Sequence, residues 1–236
     1  MKDYKKFITF SFDDGVTQDK RLAALLESYG LKATFNINSA LLGLKGTLKH
    51  NGKLTNHTKI NPDEVKAVYA AHEVAVHTLT HPNLTEESEK AIIYQVEEDR
   101  KRLTDLVGYE VRGMAYPCGG VNNDDRVAGI IKANTGVKYA RTITSTYSFD
   151  LPQNLYRLNP TIGIQEPDTM FALAEKFLAS TPDESQLFYI WGHAYEHEML
   201  EQIPWEKFEK FCQLIANKED VFYGTNTEVL TALKLI

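Results

Sequence analysis

Short stretches rich in β-branched and aromatic residues alternate with longer stretches of helical periodicity from one end of this sequence to the other. That alternation constrains the fold more than any other feature, because it implies βα units and hence a parallel sheet covered by helices. The first unit shows the pattern. Phe7-Ile8-Thr9-Phe10-Ser11-Phe12 reads as a strand broken by Asp13-Asp14-Gly15. Thr17 or Asp19 then caps a helix carrying Leu22, Leu25, Leu26 and Tyr29 at helical spacing, and Gly30 stops it. Further strands are expected at 33–38, 73–76, 111–116, 137–142 and 187–191. Helices are expected at 61–71, opened by Asn61-Pro62-Asp63-Glu64, and at 86–106, 124–133, 167–179, 205–216 and 227–235. Residues 43–60 have no clear period and read as an irregular loop. No repeat or linker interrupts the series, so residues 1–236 are expected to form one domain. Seven or so βα units without a Gly-rich phosphate fingerprint give an α/β fold of closed or nearly closed barrel type rather than a dinucleotide-binding sheet.

Composition narrows the function classes. A chain of 236 residues should bury roughly 70% of the surface its unfolded form exposes, so it needs neither disulfides nor a structural metal, and any metal would be functional. With 26 Lys+Arg against 32 Asp+Glu the net charge is −6, the pI is near 5.7, and there is no Lys/Arg run. These features exclude a phosphate-tracking surface for nucleic acid or anionic lipid. Cys118 and Cys212 read as free thiols. The apolar segment 7–12 is too short for a signal peptide, and no apolar run approaches the roughly eighteen residues that span a bilayer. The expectation is a soluble, cytoplasmic protein with no membrane insertion. An extracellular or cell-wall location would need a leader beyond the given sequence.

Polar residues gather where chemistry is expected. Asp13-Asp14, His77, Tyr116-Pro117-Cys118 and His193 each follow the C-terminal end of an expected strand, the rim on which a parallel barrel assembles its catalytic groups. His77 and His81, four residues apart, suit a divalent metal and equally suit a polar loop capped by Pro82. Asp13-Asp14-Gly15 reads equally as a βα turn. As an alternative, its carboxylates could serve a metal and that metal's water.

Ser11-Phe12-Asp13-Asp14-Gly15, His77-x-x-x-His81, Ala115-Tyr116-Pro117-Cys118-Gly119 and Ile190-Trp191-Gly192-His193 together resemble, in order and spacing, motifs one, two, three and five of the polysaccharide deacetylases, the NodB-homology or carbohydrate esterase family 4 enzymes. The resemblance runs from Phe7 to about Tyr223. It implies a distorted (β/α) barrel of NodB-homology type, one divalent metal, and hydrolysis of N-acetyl or O-acetyl groups on an acetylated oligo- or polysaccharide. By the same resemblance Asp14, His77 and His81 are the metal ligands, Asp13 the general base and His193 the general acid. The Cys118 backbone N–H serves as an oxyanion donor, and Tyr116 and Pro117 contact substrate; the aromatic faces of Trp191 and Tyr195 are expected to bind substrate by stacking on sugar rings. Zinc suits that ligand set, with cobalt, nickel and manganese as alternatives.

Two departures stand out. The family's motif-three arginine is replaced by Ala115, and Arg141, at the end of the strand 137–142, is the preferred substitute, with Arg157 next. The usual fourth motif is absent, and Asp150 or Glu196 is expected to orient His193. Trp205 reads as sugar wall or core. His50, His57, His72 and His197 read as solvated or structural. Cys118 as a nucleophile served by His193 is a minor alternative. Rival functions are a cyclic amide or imide hydrolase, which often lacks the full metal triad, and a silent glycan-binding protein, which would lack Asp13 or His193.

Overall fold

Residues 4–236 are described by a computed structural model; Met1, Lys2 and Asp3, the start of the charged N-terminus, lie outside the described residues. In chain order the strands are β1 (Lys6–Asp13), β2 (Ala33–Ile37), β3 (Thr47–His50), β4 (Lys53–Asn56), β5 (Glu73–Val76), β6 (Gly113–Ala115), β7 (Tyr139–Arg141), β8 (Ile162–Gly163), β9 (Gln186–Gly192) and β10 (Val221–Tyr223). The helices are α1 (Asp19–Ser28), α2 (Val65–Val68), α3 (Glu89–Ile93), α4 (Asp99–Val107), α5 (Asp125–Asn134), α6 (Pro167–Ala179), α7 (Glu196–Met199), α8 (Trp205–Ile215) and α9 (Asn226–Ala232).

Seven parallel strands follow one path, β7-β6-β5-β2-β1-β9-β8, and β10 joins the start of β1. The sheet curls back on itself. Arg141 on β7 reaches Asp13 on β1, four strands along, and Leu158 bridges to Arg141 on the way to β8. This is the expected distorted α/β barrel.

Strand β1 explains why its interior is polar. Every residue of β1 is buried, as in a strand covered on both faces, and successive side chains alternate sides. Phe10 and Phe12 pack on Phe208 of α8, and Phe10 also meets Phe211. On the opposite face Thr9 donates to Asn226 (2.8 Å), while Ser11 and Asp13 meet Asn36 and Arg141. The apolar core therefore lies mainly between sheet and helices, and the interior is a hydrogen-bonded column that ends at the rim.

Several elements differ from expectation. Residues 43–60 are not irregular: β3 and β4 form an antiparallel hairpin turned by Asn51 and Gly52, both at positive φ. Asn-Gly is the turn signal that marks it. The helix expected at 86–106 starts at Glu89, capped by Ser88, and is interrupted by a π turn at Tyr94–Glu98. The helix expected at 61–71 is a 3₁₀ turn, Pro62–Glu64, running into the short α2. Neither Thr17 nor Asp19 caps α1: Gln18 holds that position without a side-chain bond, and Asp19 is buried, accepting from Tyr69 Oη at 2.7 Å. The short strands β8 and β10 carry too few residues to show a period.

Among the described residues no helix is long and apolar enough to cross a membrane.

Candidate active site

One pocket of about 250 Å³ opens at the C-terminal ends of the strands, lined by Asp13, Asp14, His77, His81, Trp191 and His193 among others. The backbone around it is unusual. Asp14 (φ 85°), Thr78 (65°), His81 (64°) and Cys118 (70°) all adopt the left-handed region without being glycine. Such conformations cost about 1–3 kcal/mol each and persist where the surroundings over-determine them. Gly15 follows at φ 62°, and a Cβ there would lie 2.8 Å from Ile37 Cγ2.

Asp13 and Asp14 leave β1 toward different partners. The Asp13 carboxylate accepts from both Arg141 Nη2 and Asn36 Nδ2, the latter at 2.8 Å. Burial pushes its carboxyl up, but the charges of Arg141, His77 and His193 outweigh burial and hold it below the usual range. Arg141 is fully buried and also stacks on Trp191, 4.8 Å from the ring centroid. It is the register partner of Ala115, so the small side chain on β6 stands beside the arginine supplied by β7.

Asp14 turns toward the two histidines. Its Oδ1 lies 3.6 Å from His81 Nε2 and 4.0 Å from His77 Nε2. Donor atoms of Asp14, His77 and His81 all fall within 4.8 Å of one another. His77 Nδ1 donates to the Ala115 carbonyl at 2.9 Å, which leaves Nε2 as the lone-pair nitrogen facing Asp14. Burial lowers the His77 pKa to about 4, keeping the imidazole neutral. A carboxylate with two neutral imidazoles is a donor set that fits a divalent ion with a position left open.

The loop between these histidines is held from several sides. Asn38 Nδ2 donates to the carbonyls of His77 and Thr78, the latter at 2.9 Å. Asp99 accepts the His77 N–H (3.3 Å) and the Ser39 N–H (2.7 Å). The Gln95 carbonyl, inside the π turn, accepts the Leu79 N–H at 2.9 Å, and the Gln95 side chain makes two bonds to Thr80. A backbone carbonyl of the π turn thus holds the histidine loop.

His193 follows β9. Its Nε2 lies 4.0 Å from Asp14 Oδ2. Glu196 Oε2 accepts the His193 N–H at 3.0 Å, and Oε1 stands 3.4 Å from Nδ1. Gln165 Nε2 bonds both Glu196 oxygens (2.7 and 3.0 Å). Burial lowers the His193 pKa, but the adjacent Glu196 outweighs it, with Asp14 and Asp13 adding, and lifts it to about 9. A Cβ on Gly192 would lie 2.5 Å from Ile164 and 3.1 Å from Glu196 Oε2, so only glycine fits before this histidine.

The remaining expected residues divide. Tyr116, Cys118, Trp191 and Tyr195 line the pocket; Tyr116 Oη donates to the Tyr156 carbonyl (2.7 Å). Pro117 is buried outside the lining, its carbonyl bonded by Asn122. Cys118 Sγ lies 3.6 Å from the His81 carbonyl and 3.7 Å from His81 Nδ1, which removes the reading of a thiol served by His193. Asp150 is exposed and bonded to Ser148, away from His193. Arg157 pairs with Asp125. Trp205 is core, stacked by Arg21. His72 and His197 are buried in the framework, and His50 is exposed.

His57 was expected to be solvated or structural, yet it stands in the site: its Nε2 donates to Asp14 Oδ2 at 3.1 Å, and its ring packs edge-on against Tyr195. Lys59, which no sequence motif marks, is buried with its Nζ 2.7 Å from the Asp14 carbonyl and 3.2 Å from Oδ1. Burial raises the Asp14 carboxyl; the His57 hydrogen bond and the Lys59 charge then hold it well below the usual carboxylate range. Only the Asn51-Gly52 turn signal could have shown that residues 43–60 are ordered enough to deliver these two side chains.

The polysaccharide deacetylase family model matches residues 1–139. The chain belongs to that family. No curated protein matches it. Among solved structures it is similar to the Streptococcus pyogenes deacetylase PplD in complex with acetate (20% identity over 63% of this chain and 61% of that one, TM-score 0.52). It is also similar to the Xyl-CE4 domain of a multidomain xylanase from the hindgut metagenome of Trinervitermes trinervoides (16%, 98% and 92%, TM-score 0.61). A third is the CE4 family pseudoenzyme BA3943 from Bacillus anthracis (20%, 96% and 66%, TM-score 0.55). At these identities the likeness is one of fold. This deacetylase-family chain thus spans 61% of the streptococcal protein's length.

Proposed function

We propose that the chain is a metal-dependent hydrolase that removes acetyl groups from an acetylated oligo- or polysaccharide, with N-acetyl favoured over O-acetyl. A fold shared with a pseudoenzyme does not carry this reading. What carries it is one observation: the Asp14, His77 and His81 donors, the Asp13–Arg141 pair and the Glu196-backed His193 converge on a single pocket.

A divalent ion held by Asp14, His77 and His81, zinc or alternatively cobalt, nickel or manganese, would supply Lewis acidity and a water acidic enough to react near neutral pH. The chain's own residues then divide the proton traffic. Asp13, kept ionised and oriented by Arg141 and Asn36, accepts the proton of the attacking water. The water oxygen adds to the acetyl carbon, and the Cys118 N–H serves the developing oxyanion. His193, kept protonated beside Glu196, gives its proton to the departing nitrogen as the carbon–nitrogen bond breaks, leaving acetate and a free amino sugar. Tyr195 and the exposed part of Trp191 offer apolar faces to a sugar ring.

The leaving group provides the test, because an amine leaves poorly unless protonated whereas an activated O-acetyl ester needs the acid less. His193→Ala should reduce N-deacetylation of chito-oligosaccharides by roughly two orders of magnitude or more and reduce hydrolysis of an activated acetyl ester much less. Equal losses on both would make His193 a support for the site rather than a proton donor.

A further inference from the structure

The segment that carries His57 and Lys59 is strapped along the turn that follows Asp14. Val16 and Lys59 form an antiparallel bridge, Ile60 N–H donates to the Gly15 carbonyl (2.8 Å), Thr17 N–H donates to the Thr58 carbonyl (2.8 Å), and Lys59 N–H donates to Leu44 (2.9 Å). The strap fixes where the two side chains go. His57 takes Asp14 Oδ2 and Lys59 takes Oδ1. Oδ1 is also the oxygen that faces His77 and His81. A buried ammonium and a divalent ion therefore draw on the same oxygen, and two cations crowded at one buried carboxylate repel.

We infer that the Lys59 ammonium is a resident competitor for the metal at Asp14 Oδ1, so that the chain binds its divalent ion more weakly than its three ligands would alone. The inference rests on the proposed metal site. Its consequence is functional: metal occupancy follows the ion available in the surroundings, because the hairpin segment supplies a cation of its own that the metal must overcome. A second reading of the same contacts has the opposite sign. Lys59 Nζ also donates to the Asp14 carbonyl, and Asp14 sits at φ 85°. If Lys59 acted chiefly by holding that turn, its loss would loosen the ligand and weaken binding.

Calorimetric titration of the metal-stripped chain with zinc separates the two. Lys59→Gln removes the charge and keeps an N–H donor, and Lys59→Met removes both; each should tighten zinc binding by about tenfold or more, while Lys59→Arg, which keeps the charge, should not tighten it. Thermal melts identify any variant that fails to fold, and either uncharged variant alone then suffices. Zinc affinity equal to or weaker than wild type in the folded uncharged variants overturns the inference and leaves the metal site standing. Zinc binding by wild type that His77→Ala does not diminish overturns the metal site and this inference together.

Discussion

Asp13 and Asp14 are neighbours with identical side chains, and the different roles proposed for them come from what the barrel sets against each. Asp13 is fenced by Arg141 and Asn36 and cannot turn to the histidines, whereas Asp14, in a left-handed turn, faces them. Asp13→Asn leaves the Arg141 charge unpaired and should cost stability, yet the folded protein should keep its metal content while turnover falls by roughly a hundredfold or more; steady-state kinetics beside metal analysis checks this, and a matching loss of metal would make Asp13 a ligand. For His193 the sign of the pH effect follows from its neighbour. On the role proposed for it, His193 works while protonated, so activity should fall as pH rises through about 9. Glu196→Gln removes the charge that lifts this pKa, and should move the alkaline limb of the pH–rate profile down toward the ordinary histidine range near 6.5. The residues at the motif positions were readable from the sequence because they sit at fixed spacing on strand ends. Arg141 was readable because it ends a strand, and Glu196 because it lies three residues from His193. His57 and Lys59 were not, since their place depends on a strap across the Gly15–Thr17 turn that no local pattern encodes.

At the scale of elements, the strands were legible where they are long and buried, as in β1, and the helices where they have a sharp cap and an apolar stripe, as in α6, whose bounds fall where the sequence placed them. The hairpin was hidden by its composition: β3 and β4 are mostly exposed, so they lack the alternation of a half-buried strand. The π turn has no period to detect, because one extra residue in a turn leaves the apolar face nearly continuous on either side. Its place is nonetheless specific, since the Gln95 carbonyl within it accepts the Leu79 N–H. Deleting Glu98 from the π turn should restore a regular helix, withdraw that carbonyl, and weaken zinc binding by about 10–100-fold, the cost of losing a support for a metal ligand. Calorimetric titration with melting as a control checks it, and unchanged affinity would show that Asp99 and Asn38 suffice to hold the loop.

For the molecule as a whole, alternation of strands and helices announced the barrel, whereas the polar interior built on the Thr9-Ser11-Asp13 face of β1 emerged only with the structure. The pairing that crosses that interior was legible only as a preferred candidate, because Arg141 and Asp13 are separated by most of the barrel and meet through the curl of the sheet. Both are almost fully buried. Arg141→Ala should therefore destabilise the chain by about 3–5 kcal/mol by stranding a charge, and adding Asp13→Asn to it should recover a large part of the loss; denaturant unfolding of the two variants measures this, and additive losses would deny the coupling. Acetate release is the direct test of the metal-dependent deacetylase proposed for this barrel. The chelated chain, offered chito-oligosaccharides, peptidoglycan fragments and acetylated xylan, should release no acetate, and restoring one equivalent of zinc or cobalt should switch release on. Full acetate release by the metal-stripped chain, or none from any substrate once the metal is bound, would contradict a metal-dependent deacetylase.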